Sequence, residues 1–212
     1  MNFRAILRYG LIAAGAGLLI WYALCLPEDL FSGTDYSTVV VDRHGELLGA
    51  RISKDGQWTF PPEAYSAERS DVSSSGKEKY FTALTEFEDR WFRCVNPVSI
   101  CKAFISNVKA GHVVRGGSTL TMQVIRMSRG KQRTVGQKII EAILATRLEL
   151  RCSKDEILDL YAAHAPFGGN VIGLDAASWR YYGRPSTELS WGEAATLAVL
   201  PNSPSSIRLE KN

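Results

Sequence analysis

Gly116-Gly117-Ser118-Thr119 leads into Leu120-Thr121-Met122-Gln123 and then into five cations, Arg126, Arg129, Lys131, Arg133 and Lys138, with no acid before Glu141. Two glycines allow a tight turn. The Ser-Thr pair behind them can cap a helix, leaving backbone N–H groups free to meet an anion. Cations in the turns that follow would hold a multiply charged group such as a pyrophosphate, Arg through its planar fork and Lys as a point charge. The same residues also fit a plainer reading, a Ser-capped helix with a solvated basic face. Two further carboxyl positions invite chemistry but have ordinary readings. Glu88-Asp89 closes an aromatic-rich stretch and could be a solvated helix end; Glu141 could form an intrahelical ion pair with Lys138.

These groups need helices to hold them. Tyr80, Phe81, Leu84, Phe87 and Trp91 recur at helical spacing and form one apolar face ending at Glu88-Asp89. Asn96-Pro97 reads as an N-cap with proline in the first turn, opening a helix through Ala103, Phe104 and Val108. Thr134 can cap a long helix to about Leu150, with Ile139, Ile140, Ile143 and Leu148 facing inward. Ser153-x-x-Glu156 and Ser190-x-x-Glu193 are capping boxes ahead of apolar runs. Pro166 with Gly168-Gly169, and then Gly183, end two of these helices. Ser37 to Ile52 reads as a hairpin, Val39-Val40-Val41 against Leu47-Leu48 across Asp42-Arg43-His44-Gly45. Residues 66–77 form a polar, Ser-rich loop. The fold expected is mostly α with a small N-terminal β-hairpin.

At 212 residues, 45% hydrophobic and 22% charged, the chain suffices for one compact domain. A net charge of +3 is too mild to argue for nucleic acid, so the basic run is local. From Tyr9 to Pro27 the sequence carries no charge and spans roughly 28 Å as a helix, near the hydrocarbon thickness of a bilayer. Arg4 and Arg8 precede it; Glu28 and Asp29 follow. The positive-inside rule then gives a cytoplasmic tail (1–8), a transmembrane anchor (9–27) and an exported remainder. No small-x-small cleavage site closes the run, and Leu24 before Cys25 is too bulky for a lipoprotein signal. Cys25, Cys94, Cys101 and Cys152 match no zinc spacing. A Cys94–Cys101 bridge is open to an exported chain, and small buried thiols are the simpler reading.

Five blocks in order give the chain a family resemblance. Gly116-Gly117-Ser118-Thr119-Leu120-Thr121-Met122-Gln123 resembles the Gly-x-Ser-Thr-Leu-Thr-x-Gln signature of the family 51 peptidoglycan glycosyltransferases, the polymerase modules of class A penicillin-binding proteins. Glu88-Asp89-Arg90-Trp91-Phe92 is similar to that family's Glu-Asp-x-x-Phe block. Arg133-Thr134 with Lys138-Ile139-Ile140-Glu141 resembles its Arg-Lys-x-x-Glu helix. Lys154-Asp155-Glu156-Ile157-Leu158-Asp159-Leu160-Tyr161 and the helix around Glu193-Ala194-Ala195, ending at Pro201 and Pro204, complete the order. The resemblance covers residues 36–208. Met122 and Ala165-Pro166-Phe167-Gly168-Gly169-Asn170 fit one branch of that class best.

The resemblance implies a lysozyme-like helical domain that polymerises lipid II into β-1,4 glycan strands and releases undecaprenyl pyrophosphate. It implies Glu88 as the general base for the attacking 4-hydroxyl and Glu141 as the second catalytic carboxylate. Phe87, Trp91 and Phe92 would desolvate Glu88 and Asp89 would oppose a second charge, both of which strengthen a carboxylate as a base. Asp89, Phe92, Ser118, Thr119 and Gln123 would contact substrate, while Arg126, Arg133 and Lys138 would grip the pyrophosphate. No obligatory cofactor or resident metal is implied; a divalent ion, Mg or Mn, is an optional aid to Glu141. Partners would be lipid II, the nascent strand, the membrane and other cell-wall synthesis proteins, with the domain on the periplasmic face of the inner (cytoplasmic) membrane.

Departures from the family pattern support an alternative, a catalytically impaired module that binds lipid II or a cell-wall partner. After Phe92 the chain runs Arg93-Cys94-Val95-Asn96-Pro97, as if about three residues bearing His-Pro-Gly were missing, where a 1 Å error can cost about a hundredfold in rate. Gln137 stands where an Arg belongs, and Ala162-Ala163 replace Leu-Asn. A lysozyme-like hydrolase is the third reading, disfavoured because a neutral glycan needs no basic cluster. Ser74-Ser75-Gly76-Lys77 and Ser99-Ile100-Cys101-Lys102 both fit Ser-x-x-Lys, but neither has a Lys-Thr-Gly downstream, so no transpeptidase domain and no penicillin binding are expected of these residues.

Overall fold

The computed structural model describes residues 3–44, 47–61, 75–94, 118–132 and 134–202, with side chains from Tyr9 onward. The glycine pair at 116–117, Arg133, the helix expected after Asn96, most of the Ser-rich loop and the segment beyond Cys94 lie outside them. The chain is mostly helical with two small sheets. Helix α1 (Phe3–Leu24) leads into strands β1 (Thr38–Val41), β2 (Leu47–Arg51) and β3 (Trp58–Thr59). Then come α2 (Ser75–Glu88), α3 (Leu120–Arg129), α4 (Val135–Arg151), α5 (Lys154–His164), β4 (Val171–Ile172), α6 (Leu174–Tyr182) and α7 (Trp191–Val199), with short 3-10 turns at Ser186–Glu188 and Leu200–Asn202.

Local chemistry explains the boundaries. Thr119, Thr134, Ser153 and Ser190 each accept a hydrogen bond from a first-turn backbone N–H, and both expected capping boxes form. The Gly130 and Gly183 C-caps adopt the left-handed conformation at φ 55° and 68°, which an L side chain disfavours. The hairpin forms as expected, with Val39 opposite Ala50 and Val40 opposite Gly49, but a bulge moves Val41 opposite Leu47. Sequence periodicity gave no sign of the second sheet, in which β3 runs parallel to β4 across more than a hundred residues of chain.

The core lies where α2 packs on α7 and α3 crosses α4 and α5. Tyr80, Leu84, Leu120, Ile125, Leu148, Ile157, Leu158, Tyr161, Phe167 and Leu197 fill it, and each fully buried Leu or Ile stabilises by about 1.5–3 kcal/mol. Gly76 lets α2 approach the 3-10 turn closely: a Cβ there would stand 2.4 Å from the carbonyl oxygens of Ser186 and Thr187.

Three expectations about faces need correction. α2 stops at Glu88, so the chain turns before Trp91 completes the apolar stripe; Trp91 is 60% and Phe87 50% exposed. On α4 the buried side is Glu141, Ala142, Leu144, Ala145 and Leu148, while Ile139 and Ile140 are exposed. The small alanines face the crossing helices, and close approach between helices favours them over the branched isoleucines. Cys94 is exposed rather than buried, and Cys25, Cys94 and Cys152 are free thiols.

The transmembrane anchor expected over 9–27 is not supported as a span: among the described residues no helix is long and apolar enough to cross a membrane. The run does not stay helical to its end. α1 stops at Leu24, and Leu26 is buried in the domain core, so the last residues pack on protein.

Candidate active site

The last turn of α2 and the first turn of α3 meet, and their meeting brings the two upstream carboxylates to a helix N-terminus. Gln123 Nε2 donates to Glu88 Oε2 at 3.0 Å, and the Leu120 backbone N–H donates to Asp89 Oδ2 at 3.4 Å. The Thr119 hydroxyl accepts from the Met122 N–H at 3.2 Å. Two first-turn amides of α3 are therefore engaged by the chain itself, so an external anion at this end would compete with Asp89. The helix dipole favours the negative charge that Asp89 and Glu88 supply.

Burial pushes the Asp89 carboxyl above its usual range, against the opposing pulls of the Leu120 amide and the Lys154 charge. Glu88 presents its second oxygen, Oε1, buried and without a hydrogen-bond partner. Tyr80 on α2 and Tyr161 on α5 lie within electrostatic reach of Glu88. The Tyr80 hydroxyl is also buried and unpartnered, and burial raises both phenols, with the charge of Glu88 adding to the effect. Arg126, one helical turn beyond Gln123, acts on Tyr161 in the opposite sense and so belongs to the same cluster. Sequence reasoning missed the two tyrosines as neighbours of Glu88, because Tyr80 reads as core and Tyr161 as part of a motif.

Phe92 is 2% exposed, with Lys154 Nζ 4.3 Å above its ring. The ring packs in the core behind the carboxylates. Lys154 pairs with Glu149 at 2.5 Å, and Glu149 accepts from the Thr121 hydroxyl. This chain of contacts ties α3, α4 and α5 together behind the carboxylates.

Glu141 and Lys138 lie on α4, which packs against α3. Glu141 is 5% exposed and Lys138 half-buried, and they form no ion pair with each other, so the intrahelical pair does not occur. Among the described residues neither is hydrogen-bonded to Glu88 or Asp89. Ser118 is half-buried beside Thr119. Gln137 accepts from Arg129 Nη2 at 3.1 Å, so the residue in the arginine position holds a member of the basic run. Ala162 and Ala163 line a cavity of about 240 Å³ that also borders Asp175 and Ser186. Among the described residues no group of three or more His, Cys, Asp or Glu could hold a metal ion.

A carboxylate with one oxygen held by an amide donor and the other kept for a proton, beside a helix studded with cations, suits acid–base work on a phosphorylated sugar. The comparison with known families agrees: the model of the transglycosylase family matches residues 63–212, and the chain belongs to that family. It is 43% identical over 176 residues to penicillin-binding protein 1C of Escherichia coli, covering 82% of this chain and 22% of that protein. Penicillin-binding protein 1A of Aquifex aeolicus is 36% identical over 69% of the chain and 23% of its own length. The Pseudomonas aeruginosa protein 1A is 34% identical, over 75% and 21% respectively. The chain thus spans less than a quarter of the length of these relatives.

Proposed function

We propose that this chain is a peptidoglycan glycosyltransferase that polymerises lipid II into β-1,4 glycan strands and releases undecaprenyl pyrophosphate. The observation that carries the reading is the Glu88 carboxylate, oriented by Gln123 through Oε2 and left with an unpartnered Oε1. As the acceptor 4-hydroxyl attacks the donor's anomeric carbon with inversion, Oε1 takes its proton. Asp89, anchored on the Leu120 amide, fixes the turn that aims Glu88. Arg126, with Lys138 from the next helix and Arg133 of the same basic run, neutralises the departing pyrophosphate, and Glu141 assists that departure from α4.

The substrate is a lipid, and the exposed apolar face of α1 supports a bilayer location. Leu11, Ile12, Leu18, Leu19 and Ile20 are each more than 60% exposed, with Trp21 at 53%. Such a surface is costly in water and suited to lipid, with Trp21 at the interface. On this reading the chain belongs to the inner membrane with its domain on the periplasmic side.

Purified protein incubated with labelled lipid II tests the reading. Long, muramidase-sensitive chains are expected from the parent, and Glu88→Gln should lower the rate by about 10²- to 10⁴-fold while lipid II still binds. Turnover unchanged in the folded Gln variant would remove Glu88 from the mechanism.

A further inference from the structure

The C-terminal end of α1 meets α4, and the contacts there are specific. A helix leaves its last carbonyls without intrahelical partners, and positive charge at that end is stabilising. The last turn of α1 carries no basic residue of its own. α4 supplies the cations from more than a hundred residues away. Arg147 donates from Nε and Nη2 to the Ala23 carbonyl at 3.3 and 3.2 Å. Arg151 donates from Nη1 to the Pro27 carbonyl at 2.5 Å and from Nη2 to that of Glu28. The Thr146 hydroxyl donates to the Ile143 carbonyl at 2.7 Å, so its 3.0 Å contact with Tyr22 has the tyrosine as donor. Leu26, buried in the core just beyond α1, closes the joint from the other side.

Two forked guanidiniums on successive turns, each engaging backbone oxygen, resist rotation in a way one contact would not. α4 also carries Glu141, about 9 Å along the helix axis from Arg147 at 1.5 Å per residue. We infer that Thr146, Arg147 and Arg151 form a clamp that fixes the direction of α1 relative to the helix bearing the second carboxylate. The clamp sets the height and tilt of the active site over the lipid surface that receives α1. These are positioning residues, with no contact to substrate. The inference rests on the polymerase reading and on a bilayer location for α1.

The test compares the whole chain with Arg147→Gln/Arg151→Gln in two media, vesicles of phosphatidylethanolamine and phosphatidylglycerol and detergent micelles. In vesicles the height of the site limits its access to lipid II; in micelles substrate reaches it from any side. The double variant should polymerise lipid II about tenfold or more slowly than the parent in vesicles and within about twofold of it in micelles. Spin labels at Leu19→Cys and Leu150→Cys, with the native cysteines replaced by alanine, should give a narrow distance distribution that the double variant broadens. Equal loss in both media, no loss in vesicles, or an unchanged distribution would each overturn the clamp. If the parent makes no polymer in either medium, the polymerase reading falls, and the spin-label distributions still decide whether the clamp exists.

Discussion

Gln123 was expected to touch substrate, but the structure gives its amide to Glu88, and the two roles separate cleanly in a Gln123→Met variant. Met keeps the length of the side chain and removes the donor 3.0 Å from Glu88 Oε2. Because Oε1 has no partner, the carboxylate then loses the one side-chain hydrogen bond that holds it among the described residues. A hydrogen bond to a charged group contributes about 1.5–3 kcal/mol. If that orientation is needed in the transition state, the loss converts to roughly 10- to 150-fold in rate. The loss should fall on kcat with KM little changed, in steady-state assays on labelled lipid II with folding checked by circular dichroism. A raised KM with kcat intact would show uniform substrate binding and refute the positioning role, as would any change below twofold. Gln123→Glu sharpens the test. It puts two carboxyls in hydrogen-bond contact, of which one must hold a proton, so the acid limb of the rate profile should move to higher pH.

Gly76→Ala should destabilise the fold by more than about 1–3 kcal/mol, read as a fall in thermal midpoint, because its Cβ would meet backbone oxygens at 2.4 Å that cannot rotate away. Burial raises the Asp175 carboxyl above its reference of 3.8 despite the Ser186 hydrogen bond and Lys77. Its neutral form is thus favoured by folding, and the contribution is present below the unfolded value and lost as pH rises through the folded one. Denaturant midpoints of Asp175→Asn should therefore lack part of the decline the parent shows as pH rises from about 4 towards neutrality. Membranes washed at alkaline pH should retain the chain if α1 is seated in lipid; full release into the soluble fraction would refute the bilayer location.

The sequence by itself determined the class of fold, the starts of α4, α5 and α7 and the position of the carboxylates in the chain. Those features are written in short-range chemistry. A hydroxyl three residues before a glutamate caps a helix wherever it occurs, and Gly183 or Gly130 ends one because no other residue adopts that φ as freely. Family membership was legible for a related reason: five short motifs in a fixed order carry more information than any one of them. What each helix buries was decided by tertiary structure. Ile139 and Ile140 have every intrinsic reason to face inward, yet crossing helices favour the alanines beside them and bury Glu141 instead. Trp91 left the apolar stripe because α2 ends one turn earlier, at a boundary set by the meeting of Glu88-Asp89 with α3. The partners of the chemistry were equally out of reach. Gln123 with Glu88, Leu120 with Asp89 and Tyr161 with Glu88 are separated by 30 to 75 residues, and no periodicity relates positions that far apart. The joint between α1 and Arg147 and Arg151 shows the same limit at greater range. A helix that reads as an independent apolar rod takes its C-terminal charges from the far side of the chain, because folding alone brings them there.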